Sequence, residues 1–141
     1  MANLYVTITE EITLPNSPTQ KTNVFSTLSG INYVDTRVIN CPSGSQTSIF
    51  NLGANPGAGT FTTSSLKYAR ITNDSAVPVK LMVSASLSKA SYMIATGSSF
   101  YLSTSQFSGS IDNALILEDI SSVSILPSGS DAKIDYFIAT T

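Results

Sequence analysis

The chain has no histidine and no tryptophan, a single cysteine, and charged side chains at only 11% of its 141 residues. A soluble domain averages about 25% charged. Each shortage closes off a class of chemistry. Without imidazole the commonest general base is missing, and Cys41 has no histidine to activate it as a nucleophile. One cysteine makes neither an intramolecular disulfide nor a multi-cysteine zinc site, so Cys41 reads as a small residue at a strand end. A Ser-Lys dyad needs no histidine, but Ser and Thr supply forty of the 141 residues, and some near Lys67, Lys80, Lys89 or Lys133 are expected by chance. The expectation is a protein that is not an enzyme, with no cofactor.

Positive charge is sparse as well. Seven basic residues are scattered from Lys21 to Lys133 in a chain of net charge -2, which offers no dense patch to neutralise phosphates, so no nucleic-acid partner is expected. No apolar run approaches the roughly 20 residues that span a bilayer. Residues 1–13 show neither a basic n-region nor an apolar h-region. The expectation is no membrane partner, with synthesis in a reducing cytoplasm.

What is abundant is hydroxyl and apolar surface. Hydrophobic residues make up 42% of the chain, too many for intrinsic disorder at so small a net charge. A surface of small hydroxyls is cheap to desolvate, because an unpartnered hydroxyl costs about 1 to 3 kcal/mol to bury while an unpaired charge costs several. Such a surface suits contact with other protein.

The apolar residues recur with period two. Leu4, Val6, Ile8, Ile12 and Leu14 share one phase and Tyr5, Thr7, Thr9, Glu11 and Thr13 the other, the pattern of a half-buried strand. Pro15-Asn16-Ser17-Pro18 stops it. Further strands are predicted near 21–29, 31–40, 46–52, 66–72, 78–87, 91–95, 100–103, 115–117, 122–126 and 132–138, with Gly30, Pro42-Ser43-Gly44 and Pro127-Ser128-Gly129-Ser130 as breaks. Val79, Leu81, Val83, Ala85 and Leu87 form a second alternating face. The segments at 91–95 and 100–103 read as a hairpin turning at Thr96-Gly97-Ser98, and Gly53 to Gly59 as a long crossover. At most one helical turn fits, near Thr62 to Ser65. Short strands at this spacing predict an all-β chain: one antiparallel, jelly-roll-like sandwich domain spanning 1–141.

Candidate sites are few. Asp112, Asn113, Glu118 and Asp119 supply oxygens of the kind calcium takes, but their spacing matches no EF-hand loop, and solvated loop carboxylates are the expected reading, with no metal. The Gly53–Gly59 run lacks a P-loop's Lys-Ser/Thr, having Thr60-Phe61 instead. Glu10 and Glu11 point to opposite faces of their strand, and Glu10 falls on the apolar phase. Tyr5, Tyr33, Tyr68, Tyr92 and Tyr101 are an inventory of rings for sugar stacking, weakened by the missing Trp. Phe137 and Met82 fall on the outward phase of their strands, among polar neighbours, where Phe and Met are reasonable anchors for a protein contact. The expected protein interface comprises Tyr5, Met82, Tyr101 and Phe137.

The segments Met1 to Leu14, Leu28-Ser29-Gly30-Ile31-Asn32, Gly57-Ala58-Gly59-Thr60-Phe61, Lys67-Tyr68-Ala69-Arg70-Ile71-Thr72-Asn73 and Tyr136-Phe137-Ile138-Ala139-Thr140-Thr141 together resemble small virion structural proteins of tailed phages. The resemblance spans most of the chain, on short motifs of common residues. It implies a β-sandwich and a virion location, and carries over no catalytic residue. The expected function is a capsid decoration or cement protein, a homotrimer bound to the major capsid protein. The alternative is a tail, connector or fibre component with a receptor- or glycan-binding role.

Overall fold

A computed structural model describes residues 2–53, 60–61, 66–85, 89–103 and 120–141. The expected crossover at 54–59, the helical turn at 62–65, Leu87, the strand at 115–117 and the acidic cluster at Asp112–Asp119 lie outside the described residues. The described chain is all-β. It divides into two compact units, Met1–Asn32 and Tyr33–Thr141.

The first unit is a two-stranded antiparallel ribbon of β1 (Ala2–Ile12) and β2 (Gln20–Ile31). Its turn holds Asn16 at φ 62°, a conformation Asn tolerates better than most residues. The Ser17 amide donates to the Leu14 carbonyl at 3.2 Å. Gly30 lies within β2 and not at its end: Ala2 pairs with Ile31 and Asn3 with Ser29. The intervening glycine, at φ 77°, is the extra residue of a bulge.

The second unit holds two sheets. One has the order β5-β4-β10-β7-β8, from β4 (Thr47–Leu52), β5 (Thr60–Phe61), β7 (Val79–Ala85), β8 (Lys89–Ile94) and β10 (Ile120–Pro127). The other has the order β3-β11-β6-β9, from β3 (Tyr33–Cys41), β6 (Leu66–Asn73), β9 (Ser99–Ser103) and β11 (Ala132–Thr140). The inward phase of the first, Val79, Leu81, Val83, Val123 and Ile125, shares one buried cluster with Ile71, Leu102, Ile134, Tyr136 and Ile138 of the second. The Phe50 and Tyr136 rings meet across the two sheets with centroids 6.0 Å apart. This is the sandwich that the period-two pattern predicts. The ladders β3–β11, β4–β10, β6–β9 and β7–β8 are nested in the sequence. The two-residue β5 departs from the antiparallel rule by pairing in parallel with β4.

Nesting corrects one expectation. Residues 91–95 and 100–103 are not a hairpin: β8 pairs with β7 and β9 pairs with β6, in different sheets. The intervening Thr96-Gly97-Ser98 is a corner between sheets, and Gly97 sits there at φ 69°. Its neighbour is the corner from β6 to β7. Asn73 binds both: its amide donates to Ser98 O, its carbonyl accepts from Gly97, and its buried side-chain Nδ2 lies 2.8 Å from Val77 O and 3.2 Å from Ile94 O. The Ser75 hydroxyl donates to its Oδ1.

The other two corners at this end are tied in the same way, the Ser43 amide donating to Asp131 Oδ1 at 2.8 Å and the Ser128 amide to Pro78 O at 3.2 Å. Replacing Asn73→Ala strands buried carbonyls, and a loss of about 2 to 4 kcal/mol of folding stability is expected. Urea titration checks this: the midpoint falls while the slope is unchanged.

Candidate interaction surfaces

The winding distributes the outward side chains over three surfaces. On the four-stranded sheet, Phe137 pairs across the ladders with Thr36 on one side and Arg70 on the other, and Arg70 with Tyr101. Phe137 and Tyr101 therefore share one row with a guanidinium between them. Arg70 is held by Asp135 Oδ2 and Thr72 Oγ1, each at 3.0 Å. The Phe137 ring meets the edge of Tyr68 with centroids 6.0 Å apart, so Phe137 is half-buried and Tyr101 is the exposed end of the row.

Met82 stands on the outer face of the other sheet. Its cross-strand neighbours are Ser91 and Ser124, and Lys80 beside it pairs with Met93 and Leu126. Ser48, Ser84 and Ser122 continue this hydroxyl-rich face. Tyr5 lies on the ribbon, 72% exposed. The four expected interface residues thus occupy three surfaces, and only Phe137 and Tyr101 are brought together.

Larger exposed apolar groups stand elsewhere. Phe25 is 74% exposed and Met93 63%, and Ile12, Leu14, Val24, Tyr33, Val34 and Val38 are exposed too. Phe25 was signalled by its phase, opposite Val24 and Leu28. Met93 was hidden because its sign depends on which sheet β8 joins. Val34 and Val38 lie on β3, an edge of the four-stranded sheet among the described strands. Unpaired backbone groups on such an edge are a template for another strand.

Inside the sandwich, the Tyr136 hydroxyl donates to Asp35 Oδ2 at 2.8 Å, and Arg37 Nε lies 2.9 Å from the same oxygen. Burial, and then donation to the Asp35 carboxylate, push the Tyr136 phenol well above its ordinary range. Burial likewise raises the Cys41 thiol, with a smaller opposing hydrogen bond from Thr47, and raises Tyr68, to which Tyr101 adds. A buried thiol held protonated is a poor nucleophile. Among the described residues, no three His, Cys, Asp or Glu cluster to hold a metal ion.

No family model matches the chain, and no curated protein does. A solved structure described by the words "Bacillus endospore appendages form a novel family of disulfide-linked pili" is similar over 77% of this chain and 87% of that one, at 16% identity and a TM-score of 0.46.

The raised groups have a defined linkage. Each has a higher pKa folded than unfolded, so its contribution is fully present below the unfolded value and is lost as pH rises toward the folded one. With no histidine, stability measured by thermal melting is expected to be nearly flat from about pH 6 to 8. It should decline above about pH 9 to 10, where unfolded Cys and Tyr begin to ionise. Cys41 should react with a thiol reagent at the rate of unfolding, and faster modification of the native protein would contradict its burial.

Proposed function

We propose that this chain is a virion structural protein of a tailed phage, a decoration or cement protein that binds the assembled shell and takes no part in catalysis. The observation that supports this reading is the pairing of a charge-poor, hydroxyl-rich sandwich with large exposed apolar groups on the ribbon and on the β3 edge. The first desolvates cheaply and the second supplies contact energy of about 25 cal/mol per Å² of apolar area removed from water. The family resemblance of its motifs makes the contacted surface a shell.

The partners in this reading are the major capsid protein and further copies of the chain, arranged as a homotrimer. A protein that binds the assembled lattice better than free subunits shifts the equilibrium toward the lattice. Repetition of modest contacts by symmetry adds through effective concentration.

Capsids prepared with and without the protein test the proposal. Those lacking it are expected to burst at lower temperature and milder osmotic shock, and to recover on adding it back. Val34→Asp with Val38→Asp, placing charge on the β3 edge, should abolish the recovery while the isolated chain still melts cooperatively. Equal burst temperatures with and without the protein would refute the reading. Binding to host glycans that is lost in Tyr101→Ala, without binding to shells, would place the chain instead among tail or fibre components.

A further inference from the structure

The β1–β2 ribbon carries an apolar face built from both strands. Leu4 pairs with Leu28 and Ile8 with Val24, while Val6 and Ile12 extend the row along β1. Leu28 is buried and Leu4, Val6 and Ile8 are half-buried, so the open part of this face is its tip, where Val24, Ile12 and Glu10 are exposed. A two-stranded ribbon is marginal in water unless its apolar face is covered. The carboxylate within this face is Glu10, between Ile8 and Ile12, opposite Thr22. Among the described residues it has no ion-pair partner, whereas Glu11 on the opposite face is 3.3 Å from Lys21.

The outer face of β7 and β8 has the opposite character. Lys80 is exposed, flanked by Met82 two residues along its own strand and by Met93 and Leu126 across the ladders, and Lys89 pairs with Ser84 nearby. Neither lysine has an ion-pair partner among the described residues, and no described residue on that face is acidic. An ammonium ringed by thioethers and a leucine is the complement of a carboxylate set between isoleucines at the same two-residue spacing. Packing two ribbons face to face instead would bring Glu10 carboxylates toward one another, which is unfavourable.

We infer that the exposed tip of the ribbon's apolar face in one copy docks on the outer face of β7 and β8 in a second copy, with Glu10 meeting Lys80. The contact is heterologous, so successive copies close into a ring or continue as a filament. It deepens the structural-protein reading by naming the surfaces of self-association, and rests on that reading only for the idea that copies assemble.

Sedimentation velocity over a concentration series tests it on the full chain. Glu10→Lys and Lys80→Glu should each weaken self-association by about tenfold or more, and the double exchange should restore most of it. Circular dichroism checks that each variant folds. A wild-type chain that stays monomeric at its highest soluble concentration would overturn the inference, as would an oligomer indifferent to both reversals or a double exchange without rescue. Stabilisation of capsids, measured on the same variants, is a separate readout. If it persists while the charge exchange has no effect on assembly, the docking contact falls and the shell-binding reading stands. If charge exchange behaves as expected but capsids are never stabilised, the contact stands and the virion reading falls.

Discussion

The sandwich depends on one demand: strands that leave one sheet must enter the other without stranding backbone polar groups in the corners. Asn73 meets most of that demand at one end, with a buried side-chain amide shared between carbonyls of two corners and a backbone bonded to Gly97 and Ser98 in one of them. Buried amides are costly when unpaired and strongly directional when paired. Its position therefore sets where β7 and β9 begin and where β8 ends, and so which face Lys80, Met82 and Met93 present. The Ser43–Asp131 and Ser128–Pro78 bonds do the same for β4, β10 and β11.

Between the corners, period-two alternation does the sorting. The fully buried cluster is almost wholly aliphatic, with Phe50 and Tyr136 as its large rings and Phe61, Tyr92 and Phe100 packed against it, and Tyr136 keeps its hydroxyl satisfied by reaching Asp35 at the margin of the core. Outward side chains are hydroxyls with isolated apolar groups among them. Among the described residues, surface ion pairs such as Lys133–Asp74, at 3.0 Å, are few and contribute little in water. The surface is consequently inexpensive to bury.

Much of the fold was legible locally. The first strand, the breaks at Pro15–Pro18 and Pro42–Gly44, and the inward phases of β7 and β11 follow from alternation and turn chemistry alone. Gly30 was misread as a boundary because a glycine that ends a strand and one that forms a bulge carry the same local signal; the difference is the register of β1 against β2. The reading of 91–103 as a hairpin failed for a similar reason. A short Thr-Gly-Ser turn connects two strands whether they pair with each other or enter separate sheets. The choice is made by the distant partners β6 and β7.

The interface candidates divide along the same line. Tyr5, Phe137, Met82 and Tyr101 could be assigned to outward phases, but whether two outward residues are neighbours is a matter of strand order. Phe137 and Tyr101, thirty-six positions apart, share a row because β6 lies between their strands, while Met82 is on the other sheet. Alternation along the chain determined which side chains face out, since successive residues of any strand point opposite ways. The tertiary structure alone decided which of them stand together, because a row is made by strands paired across long sequence separations.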